Sequence, residues 1–188
     1  MNADTLVVLD ACVLVPAALR DTLLRLAEEP RLYLPRWSEE ILAEMVRTLE
    51  NQIGLPPQKT SHLVSELKKH FGEAWVTEYE PLMVRLTNDP KDRHVLAAAV
   101  RSGAHAIVTY NKRHFPQDAL EPWGVEIQGP STFLKSLYEL DADLVIEKLR
   151  AQADNLGRSL PELLEVLKRA VPSFVAVVAN DLGIDIEK

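Results

Sequence analysis

The chain carries one cysteine, Cys12, in 188 residues. That excludes an internal disulfide framework and fits a reducing, cytoplasmic setting. No apolar run approaches the roughly 20 residues that span a bilayer. The N-terminus lacks a basic segment leading into an apolar stretch and a small-residue cleavage site, so no secretory signal is expected. Positive charge is scarce: 21 Lys and Arg stand against 28 Asp and Glu, for a formal net charge of -7. This is a poor footprint for non-specific nucleic-acid binding, which depends on Lys and Arg neutralising phosphates. A nucleic-acid reading therefore needs a local basic surface, or metal ions that reverse the charge at a site. The five histidines show no metal-ligand spacing. No internal repeat and no low-complexity segment is present.

What is there reads as strand alternating with helix. Thr5 to Leu9 is a continuous apolar, β-branched run, typical of a strand buried on both faces in a parallel sheet, and Asp10 stands at its carboxyl end. A helix is expected from Pro16 to Glu28, then a short extended piece from Arg31 to Pro35. Ser38 is a natural N-cap, with Glu39 and Glu40 in the first turn of a helix reaching about Gln52 and stopping near Gly54. Pro56-Pro57 marks a break before a further helix from about Gln58 to Phe71. Asn88-Asp89-Pro90 opens another helix, with Asp89 as N-cap and Pro90 at the first helical position; it runs to about Ser102, with Gly103 beyond. His105 to Val108 is a second buried strand, ending in Thr109-Tyr110-Asn111. Val125 to Ile127 reads as a short strand and Ser131 to Leu140 as a helix. The pattern to about residue 138 is that of an α/β domain around a parallel sheet. Residues 141–188 differ: three helical segments, one opened by the capping-box sequence Ser159-Leu-Pro-Glu162, form a helical C-terminal extension.

In parallel sheets, sites form beyond the carboxyl ends of the strands. One such end supplies Asp10, the other Thr109 and Asn111, and neighbouring helices add Glu44 and Asp92. Oxygen donors of this kind suit Mg²⁺ or Mn²⁺. Asp92 falls on the stripe of Val95, Leu96 and Ala99, which its helix should bury; a carboxylate there is costly unless paired. The competing reading places it at N3, where negative charge favours the helix dipole. Glu44 lands at the border of a stripe read as Trp37, Ile41, Met45 and Leu49, away from Glu39, Glu40 and Glu50, and a solvated glutamate is its plain alternative. Asp89 is a second-rank candidate because it serves as a cap. Cys12 reads as a buried small hydrophobe. Lys112, Arg113 and His114, directly after the second strand end, are the candidates for phosphate contact.

Four segments in this order, Val7-Val-Leu-Asp10, Ser38-Glu-Glu-Ile-Leu-Ala-Glu44, Asn88-Asp-Pro-Lys-Asp92-Arg-His-Val-Leu and Ala106-Ile-Val-Thr109-Tyr-Asn111, resemble the PIN-domain ribonucleases, particularly VapC-like toxins of toxin–antitoxin pairs. The resemblance covers about residues 5 to 137. It implies a PIN-like three-layer α/β/α domain over residues 1–138, with residues 141–188 like the C-terminal extension of one VapC branch. It implies that Asp10, Glu44 and Asp92 hold Mg²⁺ or Mn²⁺, that Asn111 and Thr109 complete the site, and that an RNA phosphodiester is cleaved. A small antitoxin is the implied partner, and a homodimer is expected. Asn111 stands where the family usually has an aspartate, so a weakened second metal position is expected, and Cys12 stands where the family often has Ser or Asn. The alternative is a PIN-like scaffold without activity, serving interaction. A haloacid-dehalogenase-like phosphatase needs a second aspartate where Cys12 stands, and a Rossmann-type nucleotide binder needs a glycine-rich turn after the first strand; neither feature is present.

Overall fold

A computed structural model describes residues 3–186. Its centre is a five-stranded, all-parallel sheet of order β3-β2-β1-β4-β5. The strands are β1 (Leu6–Leu9), β2 (Leu34–Ser38), β3 (Trp75–Val76), β4 (Ala106–Val108) and β5 (Glu126–Gln128). Val7, Val8, Leu9, Ile107 and Val108 are fully or almost fully enclosed, as parallel strands covered on both faces require. The flanking helices of the first half are α1 (Ala11–Leu14), α2 (Ala17–Ala27), α3 (Glu39–Asn51), α4 (Pro57–His70) and α5 (Arg93–Ser102). Those of the second half are α6 (Gln117–Leu120), α7 (Pro130–Leu140), α8 (Ala142–Asn155), α9 (Leu160–Lys168) and α10 (Pro172–Leu182). Among the described residues, no helix is long and apolar enough to cross a membrane.

From β1 the chain steps outward to β2 and β3, then crosses back over β1 to β4 and β5. The reversal lies between β1 and β4, and a crevice opens beyond the carboxyl ends of strands at such a switch point. The backbone ladder continues one residue past β1, since Asp10 N donates to Val108 O at 3.1 Å. That bond fixes Asp10 beside the Thr109-Tyr110-Asn111 turn.

Three local readings need correction. The extended piece after Arg31 begins later and runs to Ser38, so Trp37 belongs to β2, paired with Trp75, and not to the helical stripe. Pairing with strands on both sides keeps it extended until Ser38 caps α3, its hydroxyl accepting from Ile41 N at 3.2 Å. The short helix α1 directly after Asp10 was not anticipated. The turn at Pro90–Asp92 is a 3₁₀ turn, so Asp92 stands at the N-cap of α5 rather than at N3, and its carboxylate makes no cap bond. Tightened turns of this kind are common at helix starts. Gly103 does end α5, in the left-handed region at φ 67°.

The three C-terminal helices pack onto the sheet domain. Leu163, Leu164, Leu167, Phe174, Val175 and Val178 belong to the same buried cluster as β1 and β4. Gln152 of α8 is completely enclosed; its Nε2 donates to Ala18 O at 2.9 Å and its Oε1 accepts from Thr22 Oγ1 at 2.7 Å. The expected capping box at Ser159 and Glu162 opens α9.

Candidate active site

At the switch point lies an open, polar cavity of about 520 Å³. Asp10, Glu44, Asp92 and Asn111 all line it, although 34 or more residues separate each from the next along the chain except for the 19 between Asp92 and Asn111. Each arrives for a local reason: Asp10 from the end of β1, Glu44 from the middle of α3, Asp92 from the start of α5, and Asn111 from the turn after β4.

Asp10 is 2% exposed. Thr109 Oγ1 donates to its Oδ2 at 2.6 Å, and Cys12 Sγ donates to the same oxygen at 3.1 Å. Thr109 Oγ1 in turn accepts from Asn111 N at 2.9 Å, and Cys12 Sγ accepts from Tyr110 N at 3.3 Å. The turn that presents Asn111 is thus tied to the carboxylate it faces. Burial, and then the Asp10 charge, push the Cys12 thiol up to about 12, so it remains a protonated donor. Cys12 is therefore not a mere small hydrophobe. Its place in the first turn after Asp10 makes it part of the carboxylate's support.

Each of the other two carboxylates has a histidine beside it: His94, which the sequence did not mark, and His114, expected as a phosphate contact and found on Asp92 instead. Asp92 Oδ2 lies 2.6 Å from His114 Nδ1. His114 Nε2 accepts from Arg113 Nε at 3.2 Å, which assigns the ring proton to Nδ1 and makes His114 the donor to Asp92. Burial is the main influence raising the Asp92 pKa, opposed by the His114 bond and aided by the nearby Asp10 charge. Glu44 sits 3.5 Å from His94 Nε2 and 3.7 Å from Arg47 Nη2. The His94 contact is a charge contact without hydrogen-bond geometry, because that buried nitrogen has no bonding partner. Burial pulls the imidazole down, but the carboxylates of Glu44, Glu40 and Asp10 outweigh it and its net direction is upward. The trace of His94 in the sequence was a single polar residue heading the apolar run Val95-Leu-Ala-Ala-Ala99.

The remaining candidates lie at the edges. Asp89 caps the turn, accepting from Lys91 N at 3.0 Å, and does not line the cavity. Thr109 is buried behind Asp10. Lys112 and Arg113 are exposed on the turn beyond Asn111 and line a neighbouring hollow of about 450 Å³ with Thr109, Tyr110 and Gly129. Arg47, Thr48, Asn51 and Gln52 also line the main cavity and were not singled out from the sequence.

The donor set tests the expected metal. Three carboxylates and an amide oxygen facing one polar space are hard oxygen donors of the kind Mg²⁺ and Mn²⁺ take. The upward displacement of the Asp92 pKa by burial and by Asp10 marks negative charge that a cation would relieve. Among the described residues, no three His, Cys, Asp or Glu side chains are drawn close enough to form a ready-made metal cage. The donors fit a divalent ion in kind, from positions around a shared cavity.

A sheet with this strand order and acidic residues at this switch point defines a class, and the comparisons agree with it. The PIN domain family model matches residues 6–113, and the chain belongs to that family. The chain is also 40% identical over 106 residues to a Mycobacterium tuberculosis protein named "Putative ribonuclease VapC50". That match covers 55% of this chain and 63% of the relative, so the chain spans less than two thirds of the relative's length.

Proposed function

We propose that this protein is a metal-dependent endoribonuclease, the toxin of a VapBC-type pair. The observation that carries the reading is the convergence of Asp10, Glu44, Asp92 and Asn111 on one cavity at the sheet's switch point. Membership of the PIN domain family and the relative's name support it. Asp10, Asp92 and Glu44 would hold Mg²⁺ or Mn²⁺, with Asn111 completing the set. A divalent ion there would activate water and offset negative charge on the phosphoryl oxygens.

The chain's own residues do the rest. Thr109 and Cys12 fix the Asp10 carboxylate, and His114 holds the Asp92 carboxylate, which makes no cap bond. Lys112 and Arg113, exposed just beyond Asn111, would meet the RNA backbone in this reading. A small antitoxin protein and a homodimer belong to the same reading, with RNA as substrate and the cytoplasm as its place of action.

The test is cleavage of a single-stranded RNA with Mg²⁺ or Mn²⁺ present, by wild type and by Asp10→Asn. Wild-type cleavage that chelation abolishes, and that the variant lacks, is expected; undiminished metal-dependent cleavage by the variant would sink the reading. The second reading, an inactive scaffold, draws on Asn111 bringing a neutral oxygen where a carboxylate would bring charge. Calorimetry separates the two, since a scaffold without activity should bind Mn²⁺ poorly.

A further inference from the structure

One side of α3 is unlike the other. Ile41, Leu42, Met45 and Leu49 are buried against the domain. Glu44, Arg47, Thr48 and Asn51 follow at intervals of three and four residues, which places them on one stripe. Gln52 caps the helix next to them. All five line the candidate active-site cavity, opposite Ala11, Cys12 and Val15 of the α1 segment. With about 1.5 Å rise per residue, Glu44 to Gln52 spans about 12 Å. The stripe therefore starts at a candidate catalytic carboxylate and leads away from it along the cavity wall.

The chemistry changes along that path. Arg47 is the only Lys or Arg among the residues lining the cavity. Its side chain is 62% exposed, and its contact with Glu44, at 3.7 Å, is loose. The guanidinium is thus free to turn toward a phosphate, for which its planar donor array is suited. Asn51 and Gln52 are exposed, and among the described residues neither side chain has a hydrogen-bond partner. They stand at the carboxyl end of α3, where the helix dipole is negative and disfavours phosphate. Their amides carry both donors and acceptors, which matches base edges and 2′-hydroxyl groups of an unpaired strand.

We infer that this α3 stripe is a nucleotide-binding subsite for single-stranded RNA next to the scissile bond: Arg47 takes a backbone phosphate, and Asn51 and Gln52 read the sugar or base of the adjoining nucleotide. The inference rests on the ribonuclease reading and extends it to substrate selection. It also answers the charge problem at short range, since one exposed guanidinium beside the carboxylates serves where a broad basic surface is lacking.

The test uses the full chain in two assays. In the first, fluorescence anisotropy measures binding of a labelled random-sequence single-stranded RNA to Asp10→Asn with Mg²⁺ present. Arg47→Ala in that background should weaken binding about tenfold and reduce the magnitude of the salt slope by about 0.7. Arg150→Ala, which removes the same charge from an exposed position on α8, should change neither. In the second, cleavage sites on a random-sequence RNA are mapped for otherwise wild-type protein. Asn51→Ala and Gln52→Ala should alter the base preference beside the cleaved bond, with kcat/KM lower by about threefold to tenfold. If wild type cleaves RNA, Arg47→Ala binds it as Arg150→Ala does, and Asn51→Ala and Gln52→Ala cleave with wild-type base preference and kcat/KM, this inference fails alone. If wild type cleaves no RNA but Asp10→Asn binds it through Arg47, the ribonuclease reading fails and the subsite stands.

Discussion

Asp92 is a carboxylate that the fold holds at a cost. Its side chain is 12% exposed, and burial, more than the Asp10 charge, raises its pKa despite the His114 bond. A carboxyl whose pKa is higher in the folded chain favours folding fully only below its unfolded value, and that contribution is lost as pH rises through the folded value. The ionised form therefore weighs against the fold. Asp92→Asn should raise Tm at pH 7 while abolishing cleavage, and the gain over wild type should shrink as pH falls through the raised Asp92 value; thermal melts across that range check it. Asp10→Asn should lower kcat/KM on the order of a hundredfold or more, the scale of a lost contribution of several kcal/mol to transition-state charge stabilisation, in a steady-state RNA-cleavage assay. Both aspartates were legible in the sequence because a carboxylate after a buried strand, or on a stripe due to be buried, conflicts with its surroundings. Glu44 was legible only as less solvated than its acidic neighbours. His94 was not legible, and His114 was legible only as a candidate phosphate contact, because the partners of both lie on other elements and side-chain contacts across the fold leave no spacing in the chain.

The Thr109-Tyr110-Asn111 turn is tied to the C-terminal helices as well as to Asp10. Tyr110 Oη donates to Ala170 O at 2.8 Å, in the link between α9 and α10. Tyr110→Phe removes that bond alone, so it should leave stability within about 1.5 kcal/mol of wild type, a Tm change of a few degrees at this chain length. If the strut sets the position of Asn111, kcat should fall with KM little changed. A simple loss of stability would leave kcat per folded molecule intact, which active-site titration checks. Gln152 is the firmer fastening. Gln152→Ala leaves Thr22 Oγ1 its bond to Ala18 O at 3.0 Å but removes two enclosed hydrogen bonds, and should cost about 1–3 kcal/mol in denaturant melts. Elements with strong local marks were readable in the sequence: α3 from its Ser38 cap, the end of α5 from Gly103 and α9 from its capping box, whereas Pro90 opens a 3₁₀ turn and α5 itself begins at Arg93. The full extent of β2 and the existence of α1 were not, because pairing with β1 and β3 keeps Leu34–Ser38 extended, and Ala11–Leu14 is a single turn held by the chain on either side.

Across the whole molecule the formal charge is -7, and three carboxylates share the cavity that an anionic strand would have to enter. Added monovalent salt screens that repulsion but also weakens phosphate contacts, so neither effect alone brings RNA in. A divalent ion bound among Asp10, Glu44 and Asp92 would offset most of their negative charge without altering the surface elsewhere. Such an ion would favour the folded chain, where the donors share one cavity, over the unfolded chain, where they are far apart, and linkage would turn that preference into stability. Mn²⁺ at about 100 times its Kd should add about 2.7 kcal/mol, which at this chain length raises Tm by about 5–10 °C. Asp10→Asn and Asp92→Asn should lose most of that rise, although Asp92→Asn starts from the higher metal-free Tm. The pair of results matters because repulsion between carboxylates and affinity for the ion have one origin, so relieving the first must diminish the second. A melt series with and without Mn²⁺ on the three proteins measures both, and an equal Mn²⁺-induced rise in all three would place the ion somewhere other than this cavity.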